Sequence, residues 1–176
     1  MNNKLNLDFL KIFFEEPNRE FNVREVARIL KIAPATASKE LENLDKKGIL
    51  KKRNERMLKL YKANIENEFY RDCKVFYNLR KIKDSGFLEE LNKFYLKPTV
   101  ILFGSGSEGR DTEDSDLDFV IISEKTKEFP KREFFEKKLN RKLQLFIVKG
   151  VKELKNKHLM NNIINGVTIQ GEIKWI

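Results

Sequence analysis

The chain has 176 residues, of which 40% are hydrophobic and 36% charged, enough for one medium-sized globular domain or two small ones. No apolar run approaches the ~20 residues of a membrane-spanning helix, and the first residues lack the continuous apolar stretch of a signal peptide. We therefore expect a cytoplasmic protein with no membrane partner. The net charge is +9, and the single cysteine, Cys73, excludes an internal disulfide and a cysteine-based zinc site.

Three helices are predicted in the first 48 residues. The helical periodicity of the first ends at Pro17. Asn22 is expected to cap the second helix, with Glu25 as its capping-box partner three residues later. Pro34 is expected to open the third helix, because a missing N–H costs nothing at that position. Gly48 is expected to end it.

A β-hairpin is predicted after the third helix, with strands over 49–53 and 57–62 and a turn over 54–56. Three helices followed by a hairpin are typical of a winged helix-turn-helix. Residues 23–63 resemble the winged-helix transcriptional regulators. The resemblance depends on two segments, Ala35-Thr36-Ala37-Ser38-Lys39 of the third helix and the closing Lys47-Gly48-Ile49-Leu50.

Double-stranded DNA is the partner that this N-terminal part is expected to bind. Residues 1–65 carry +6 of the net charge of +9, which favours an anionic polymer. The outer face of the third helix suits a major groove and the hairpin suits flanking phosphates. Two alternatives stay open: winged helices also serve as protein–protein or dimerisation modules, and lysine-rich surfaces are often only solvated. The expected DNA-binding residues are Ala35, Thr36, Ser38, Lys39, Arg53 and Arg56.

Two connector helices are predicted over residues 66–96, separated by Asp84-Ser85-Gly86. The first carries an aromatic-rich stripe that includes Phe69, Cys73 and Phe76. Such a stripe usually packs between domains or at a dimer surface, so a homodimer stays open. The predicted domains are a winged helix over 1–65, this helical connector over 66–96, and a third region over 97–176.

Strands and helices alternate in the region from residue 97 onward, which indicates an α/β domain beside a smaller N-terminal α+β domain. The strands are predicted over 99–103, 117–122, 142–148 and 167–173. The helices are predicted near 107–111, around 130–139 and over 151–164.

Residues 101–122 carry the most informative motif of the chain. An apolar strand ends at Phe103 and runs into a Gly104-Ser105 turn, and a second strand begins with Asp116 and Asp118. Glycines beside a strand end let backbone N–H groups approach a phosphate. Two acids at i and i+2 of a strand point the same way and can share a divalent metal. This is the layout of a nucleotide–magnesium site, and the alternative is an acidic turn between two core strands.

The motif resembles the signature of the DNA polymerase β-like nucleotidyltransferase superfamily, in particular its minimal single-domain members. That signature is an apolar residue, Gly, and Gly or Ser, followed after a spacer by Asp, an apolar residue, Asp or Glu, and an apolar residue. Here a spacer of ten residues separates Phe103-Gly104-Ser105 from Asp116-Leu117-Asp118-Phe119. The resemblance covers approximately residues 95–173 and implies a mixed β-sheet flanked by helices.

The resemblance also implies roles for individual residues. Asp116 and Asp118 would be the catalytic carboxylates that hold Mg²⁺ or Mn²⁺ and orient ATP or another nucleoside triphosphate for in-line attack. Arg110 would neutralise phosphate charge, and a plain surface arginine is the alternative reading. The implied nucleotide-binding residues are Gly104, Ser105, Gly109 and Arg110.

A third carboxylate, which this family usually supplies from the next strand, is replaced in this chain. Strand alternation puts Gln144 where an aspartate is expected, so the expected metal ligands are Asp116, Asp118 and Gln144. A glutamine offers a carbonyl oxygen but no negative charge, and it cannot accept a proton from the nucleophile. We therefore expect nucleotide binding to survive while turnover is slow or absent.

Two functions from different classes fit these patterns. One is a DNA-binding nucleotidyltransferase that moves NMP to an unidentified hydroxyl, with a toxin–antitoxin pair as one setting that the resemblance offers. The other is a transcriptional regulator whose degenerate nucleotidyltransferase domain only senses nucleotide. A tailing polymerase fits less well, since the chain lacks an extra domain to grip a primer.

Overall fold

The computed structural model describes residues 7–154 and 156–173, so both ends of the chain and position 155 lie outside the described residues. The chain divides into two compact units, Met1–Lys74 and Val75–Ile176. The division falls inside helix α4, Glu68–Asp84, so the predicted connector contributes to both units. Within the described ranges, no helix combines the length and apolarity needed to cross a membrane.

Three helices precede the hairpin of the N-terminal unit, as predicted: α1 (Leu7–Glu15), α2 (Val23–Leu30) and α3 (Pro34–Lys46). The Asn22 side chain accepts a hydrogen bond of 3.0 Å from the Glu25 backbone N–H, which confirms the predicted cap. The Glu25 carboxylate accepts a hydrogen bond from Arg19. Pro34 occupies the first turn of α3, and Gly48 follows that helix with a φ of 70°.

A three-stranded antiparallel sheet completes the N-terminal unit, with the strand order β1-β3-β2. The predicted hairpin turn over 54–56 is wrong, because the loop consists of residues 56 and 57. Glu55 pairs with Leu58, which leaves a two-residue loop whose first residue, Arg56, has a φ of 53°. Strand β1 has only two residues and was not predicted. The strands are β1 (Phe21–Asn22), β2 (Leu50–Glu55) and β3 (Leu58–Ala63).

Helix α4 buries a different face from the predicted aromatic stripe. Phe69 and Phe76 of that stripe are 49% and 52% exposed. In the N-terminal unit, Lys74 is fully buried and its Nζ donates to the Phe14 carbonyl at 2.9 Å, near the end of α1. A cation is favourable there because the carbonyls at a helix C-terminus carry partial negative charge. The buried positions of α4 are Tyr70, Lys74, Asn78 and Ile82, each four residues from the next.

A mixed four-stranded sheet flanked by helices forms the C-terminal unit, in agreement with the predicted fold class. The strand order is β6-β5-β4-β7, with β5 and β6 parallel and the other pairs antiparallel. The strands are β4 (Thr99–Phe103), β5 (Leu117–Ile122), β6 (Leu143–Val148) and β7 (Val167–Gln170). The helices that follow α4 are α5 (Phe87–Tyr95), α6 (Ser105–Glu108), α7 (Arg132–Leu139) and α8 (Lys157–Ile164).

Two of the predicted strands, over 99–103 and 117–122, agree with the structure at both ends. The predicted helix over 151–164 is wrong, because a 3₁₀ turn (Val151–Glu153) and α8 occupy that range. Leu154 between them is buried in an extended conformation, with φ −77° and ψ 91°. An extended residue interrupts the helical hydrogen bonds, so the prediction from apolar spacing alone made the helix too long.

The two faces of the C-terminal sheet support separate apolar cores. One face packs against α5 and α7, and the other is covered by the 3₁₀ turn and α8. Residues of β5 alternate between them, with Phe119 in the first core and Val120 in the second. By this alternation, Asp118 in β5 and Gln144 in β6 belong to the face that α8 covers.

Candidate functional site

Asp118 occupies the centre of a row of residues that crosses the C-terminal sheet. It pairs with Phe103 of β4 on one side and with Gln144 of β6 on the other. Paired residues on neighbouring strands present their side chains to the same face of a sheet. The row therefore places the Gln144 amide beside the Asp118 carboxylate, with Asp118 half-buried and Gln144 exposed.

Gly104 lies directly against the Asp118 carboxylate. It has a φ of 68° and a ψ of −157°, a conformation available almost only to glycine. A Cβ built on Gly104 would lie 2.6 Å from Asp118 Oδ2, closer than such atoms approach. The absence of a side chain at position 104 is therefore what lets the strand end and the carboxylate come together.

Asp116 stands one residue before β5 and is exposed. The motif was described as a strand that begins with both acids, but the strand predicted over 117–122 contains only Asp118, and only Asp118 is part of the ladder. Burial, and then the negative charge of Asp116, raise the pKa of the Asp118 carboxyl. The two carboxylates are thus near enough to repel one another. A cation shared between them would relieve this repulsion.

The turn after β4 is held by short local hydrogen bonds. The Ser107 hydroxyl donates to the Gly104 carbonyl at 2.8 Å, and the Arg110 N–H donates to the Ser105 carbonyl at 3.0 Å. Gly109 ends α6 with a φ of 68°. The predicted residues Gly104, Ser105 and Gly109 therefore belong to one compact turn. The Arg110 side chain is exposed, and its Nε lies 3.8 Å from Glu108 Oε2.

Two buried polar residues that the sequence interpretation missed support this turn. The Asn78 amide on α4 donates to the Gly106 carbonyl at 3.0 Å and to Asp111 Oδ1 at 2.8 Å. Asn78 is 7% exposed and Asp111 is 2% exposed. Asn78 lies four residues from Lys74 along α4, on the buried face of that helix, whereas the sequence analysis considered only the aromatic-rich stripe.

Gly166, also missed as a site residue, packs onto β4 beside this row. A Cβ at position 166 would lie 2.6 Å from the Leu102 carbonyl oxygen and 3.0 Å from the Phe103 Cβ. The following residue, Val167, pairs with Leu102. The turn between α8 and β7 therefore closes directly against the strand that carries Phe103.

A cavity of about 620 Å³ opens beside Asp116. One wall is the acidic loop that leads to Asp116, and the other is the end of α7 with residues 140–142, which precede β6. The cavity therefore offers both signs of charge next to the candidate carboxylates. Its lining residues are Glu113, Asp114, Ser115, Asp116, Glu136, Lys137, Asn140, Arg141 and Lys142.

The chemistry of the donors fits one hard divalent cation. Asp116 and Asp118 offer carboxylate oxygens, and Gln144 offers an amide oxygen on the same face as Asp118. Mg²⁺ is usually held by one or two carboxylates, with waters and phosphate oxygens completing its shell. Across residues 7–154 and 156–173, no group of three or more His, Cys, Asp or Glu side chains is arranged to hold a metal.

The predicted DNA-binding residues lie in the N-terminal unit. Ala35, Thr36 and Lys39 are exposed on α3, and Ser38 is half-buried. In the hairpin, Arg56 is exposed in the two-residue loop, and Arg53 forms ion pairs of 2.6 Å with Glu20 and 2.7 Å with Glu55. The positive charge of Arg53 is therefore matched by two carboxylates of the same unit.

Comparison with known proteins adds one finding. Residues 84–165 match the family model of the nucleotidyltransferase domain. The matched range contains both parts of the motif, Gly104-Ser105 and Asp116-Leu117-Asp118, together with Gln144. A search of curated proteins gave no significant match. Over residues 84–165 the chain is therefore similar to nucleotidyltransferase domains, and this similarity supports nucleotidyl transfer in general.

Proposed function

We propose that this protein transfers a nucleoside monophosphate from ATP or another nucleoside triphosphate to a hydroxyl acceptor, with Mg²⁺ or Mn²⁺ as the cation. The observation that carries this proposal is the contact between Gly104 and Asp118. That contact brings the end of β4, where a phosphate chain would sit, against a carboxylate with a raised pKa. The family match over residues 84–165 supports the same reaction class.

The residues of the turn would bind the triphosphate. The Gly104–Ser105 backbone can approach phosphate oxygens closely, and the Ser105 hydroxyl can donate to one of them. Asp116 and Asp118 would hold the cation, with Gln144 contributing a neutral oxygen. When bound there, the cation supplies positive charge that offsets the charge developing at the α-phosphorus.

The reaction needs a new bond from the acceptor oxygen to the α-phosphorus and cleavage of the bond to the bridging oxygen, which releases pyrophosphate. The hydroxyl proton must leave as this bond forms. Gln144 cannot accept it, since an amide has no basic site at neutral pH. The proton would therefore pass to Asp116, Asp118 or water, and we expect turnover to be slow.

The cavity beside Asp116 is where we place the acceptor. It adjoins one candidate carboxylate, and its walls include three basic side chains, Lys137, Arg141 and Lys142. A protein target within a toxin–antitoxin pair is one acceptor that the sequence resemblance offers. A small helical partner encoded next to this chain would support that setting.

The test is transfer of label from ATP carrying ³²P at the α-phosphate, in the presence of Mg²⁺ and a cell extract. We expect a labelled product with the wild-type chain and none with Asp116→Ala. Asp84→Ala, which removes an exposed carboxylate on α4, is the matched control and should retain transfer. Absence of label with the wild type would reject the transferase.

Nucleotide sensing is the alternative outcome of that experiment. If no label is transferred but ATP with Mg²⁺ raises the melting temperature of the wild type and not of Asp116→Ala, the C-terminal unit binds nucleotide without turnover. The protein would then act as a regulator whose DNA affinity responds to nucleotide by a coupling of about 1–3 kcal/mol.

We propose that the N-terminal unit is a winged helix that binds double-stranded DNA. The supporting observation is that α3 presents Ala35, Thr36 and Lys39 to solvent while the adjoining hairpin carries exposed basic residues. Small and polar groups on one helix suit a major groove, and basic hairpins suit phosphates. Binding to random-sequence duplex DNA, measured by fluorescence anisotropy at several salt concentrations, tests this proposal. A lack of salt-dependent binding would reject it.

A further inference from the structure

The inference concerns Asn78, a buried residue of α4 outside both parts of the nucleotidyltransferase motif. Its side-chain amide donates to the Gly106 carbonyl at 3.0 Å and to Asp111 Oδ1 at 2.8 Å. Gly106 lies in the turn that carries Ser105, and Asp111 begins the loop that leads to Asp116. One side chain therefore connects the two halves of the motif.

We propose that Asn78 is a positioning residue for nucleotide binding, which sets the spacing between the phosphate turn and the carboxylate pair. An amide has two N–H donors, and these two contacts account for both of them. Each contact fixes a different segment: one holds the backbone of α6, and the other holds the start of the following loop. This inference depends on the proposed function, because it assigns Asn78 to the same site.

Neighbouring contacts also hold the segment that Asn78 contacts. Gly106 is buried, and a Cβ there would lie 3.1 Å from Leu117 Cδ2. Further along the loop, the Thr112 N–H donates to Ser115 Oγ at 2.9 Å, immediately before Asp116. The segment from Gly106 to Asp116 is therefore anchored at both ends, and Asn78 supplies an anchor that comes from outside the segment.

The experiment compares two asparagines of the C-terminal unit. Asn78→Leu removes both hydrogen bonds while keeping a similar volume. Asn92→Leu is the matched control, because Asn92 exchanges side-chain hydrogen bonds of 3.0 and 2.6 Å with Gln170. Gln170 pairs with Val100, at the opposite end of β4 from Phe103. Both variants lose two side-chain hydrogen bonds, and only the first loses contact with the motif.

We expect both variants to melt at a lower temperature than the wild type. Because small displacements of positioning groups cost up to about 10²-fold in rate, Asn78→Leu should raise the KM for ATP about ten-fold and lower kcat/KM further. Asn92→Leu should keep the wild-type KM. The Kd for ATP with Mg²⁺, measured by calorimetry, should follow the same pattern without depending on turnover.

A purely structural role for Asn78 predicts a different result. Both variants would then have lowered melting temperatures, and both would keep the wild-type KM and Kd for ATP. That result overturns the inference while leaving the proposed function intact. If the wild type itself neither binds ATP nor transfers label, the proposed function and this inference both fail. Should Asn78→Leu not fold, Asn78→Ser replaces it, since a serine hydroxyl cannot reach both acceptors, and the same KM and Kd criteria apply.

Discussion

The Asp118 carboxylate occupies the space that a side chain on Gly104 would need, with 2.6 Å between Oδ2 and the position of a Cβ. The two residues belong to different halves of the motif and are brought together by the pairing of Phe103 with Asp118 across β4 and β5. Strand register therefore decides whether the phosphate turn and the carboxylate meet.

Gly104→Ala should impair both stability and nucleotide binding. An alanine at a φ of 68° and a ψ of −157° costs about 1–3 kcal/mol, and its Cβ would displace Asp118. We expect a fall in melting temperature of roughly 5 °C and loss of measurable ATP binding by calorimetry. Gly150→Ala is the control, because Gly150 has an extended φ of −163° and no heavy atom within 4 Å of its Cβ position. Equal behaviour of the two variants would contradict the argument.

Asp118→Asn should stabilise the protein in the absence of divalent ions and abolish transfer. The folded-state pKa of Asp118 is raised, so the folded protein holds this proton more tightly than the unfolded chain does. Its contribution to stability is therefore present at low pH and declines as pH rises above about 4. An asparagine has no such ionisation, and at pH 7 we expect a melting temperature higher by ~2 °C.

Thermal unfolding between pH 4 and pH 8, with and without Mg²⁺, measures this effect. The wild type should gain stability on addition of Mg²⁺ at pH 7 and gain less at pH 4, where protons compete for the carboxylate. Asp118→Asn should show neither response. Asp84→Asn, on the surface of α4, should behave as the wild type does. A lower melting temperature for Asp118→Asn at pH 7 would show that burial and repulsion do not control this site.

Gln144→Glu should strengthen the cation site. Gln144 pairs with Asp118, so an isosteric carboxylate would join the same face and could accept a proton from the acceptor hydroxyl. We expect tighter Mn²⁺ binding and a rise in kcat of about 10²-fold, the lower range for general-base catalysis. Gln144→Ala, which adds no charge, should not accelerate transfer. A glutamate variant that is no faster than the wild type would mean that proton transfer does not limit the rate.

Arg56→Ala should weaken DNA binding more than Arg53→Ala does. Arg53 already pairs with Glu20 and Glu55, so it must break two ion pairs before it contacts a phosphate. Loss of one phosphate contact lowers the slope of log K against log salt by about 1. We expect that change for Arg56→Ala and a smaller one for Arg53→Ala, with Lys83→Ala in the C-terminal unit as control. A larger effect at position 53 would mean that DNA displaces both glutamates.

Much of the C-terminal sheet was predictable because its strands are short apolar runs with clear boundaries. Pro98 precedes β4 and Gly104 follows it, and the limits of β4 and β5 were predicted without error. The close approach of Gly104 to the Asp118 side chain, in contrast, was not predictable from the sequence. It depends on a register between strands that no local pattern encodes.

The errors have physical causes that are specific to single elements. Strand β1 contains two residues, too few to show a period of two. The buried face of α4 was not predicted, because the sequence analysis followed the aromatic-rich stripe, whereas Lys74 and Asn78 are buried against carbonyl groups. A buried polar group is stable when its hydrogen bonds are satisfied, and those partners are distant in sequence. The sequence therefore did not indicate that Asn78 supports the site.

Gly166 packs so closely against β4 that its position restricts which residues the sequence can carry there. With the Leu102 carbonyl oxygen 2.6 Å from where a Cβ would stand, even the smallest side chain would push the α8–β7 turn off the strand. In a library that randomises position 166, selection for folded protein should return glycine alone. Neighbouring Asn165, which is exposed at the end of α8, should accept many substitutions.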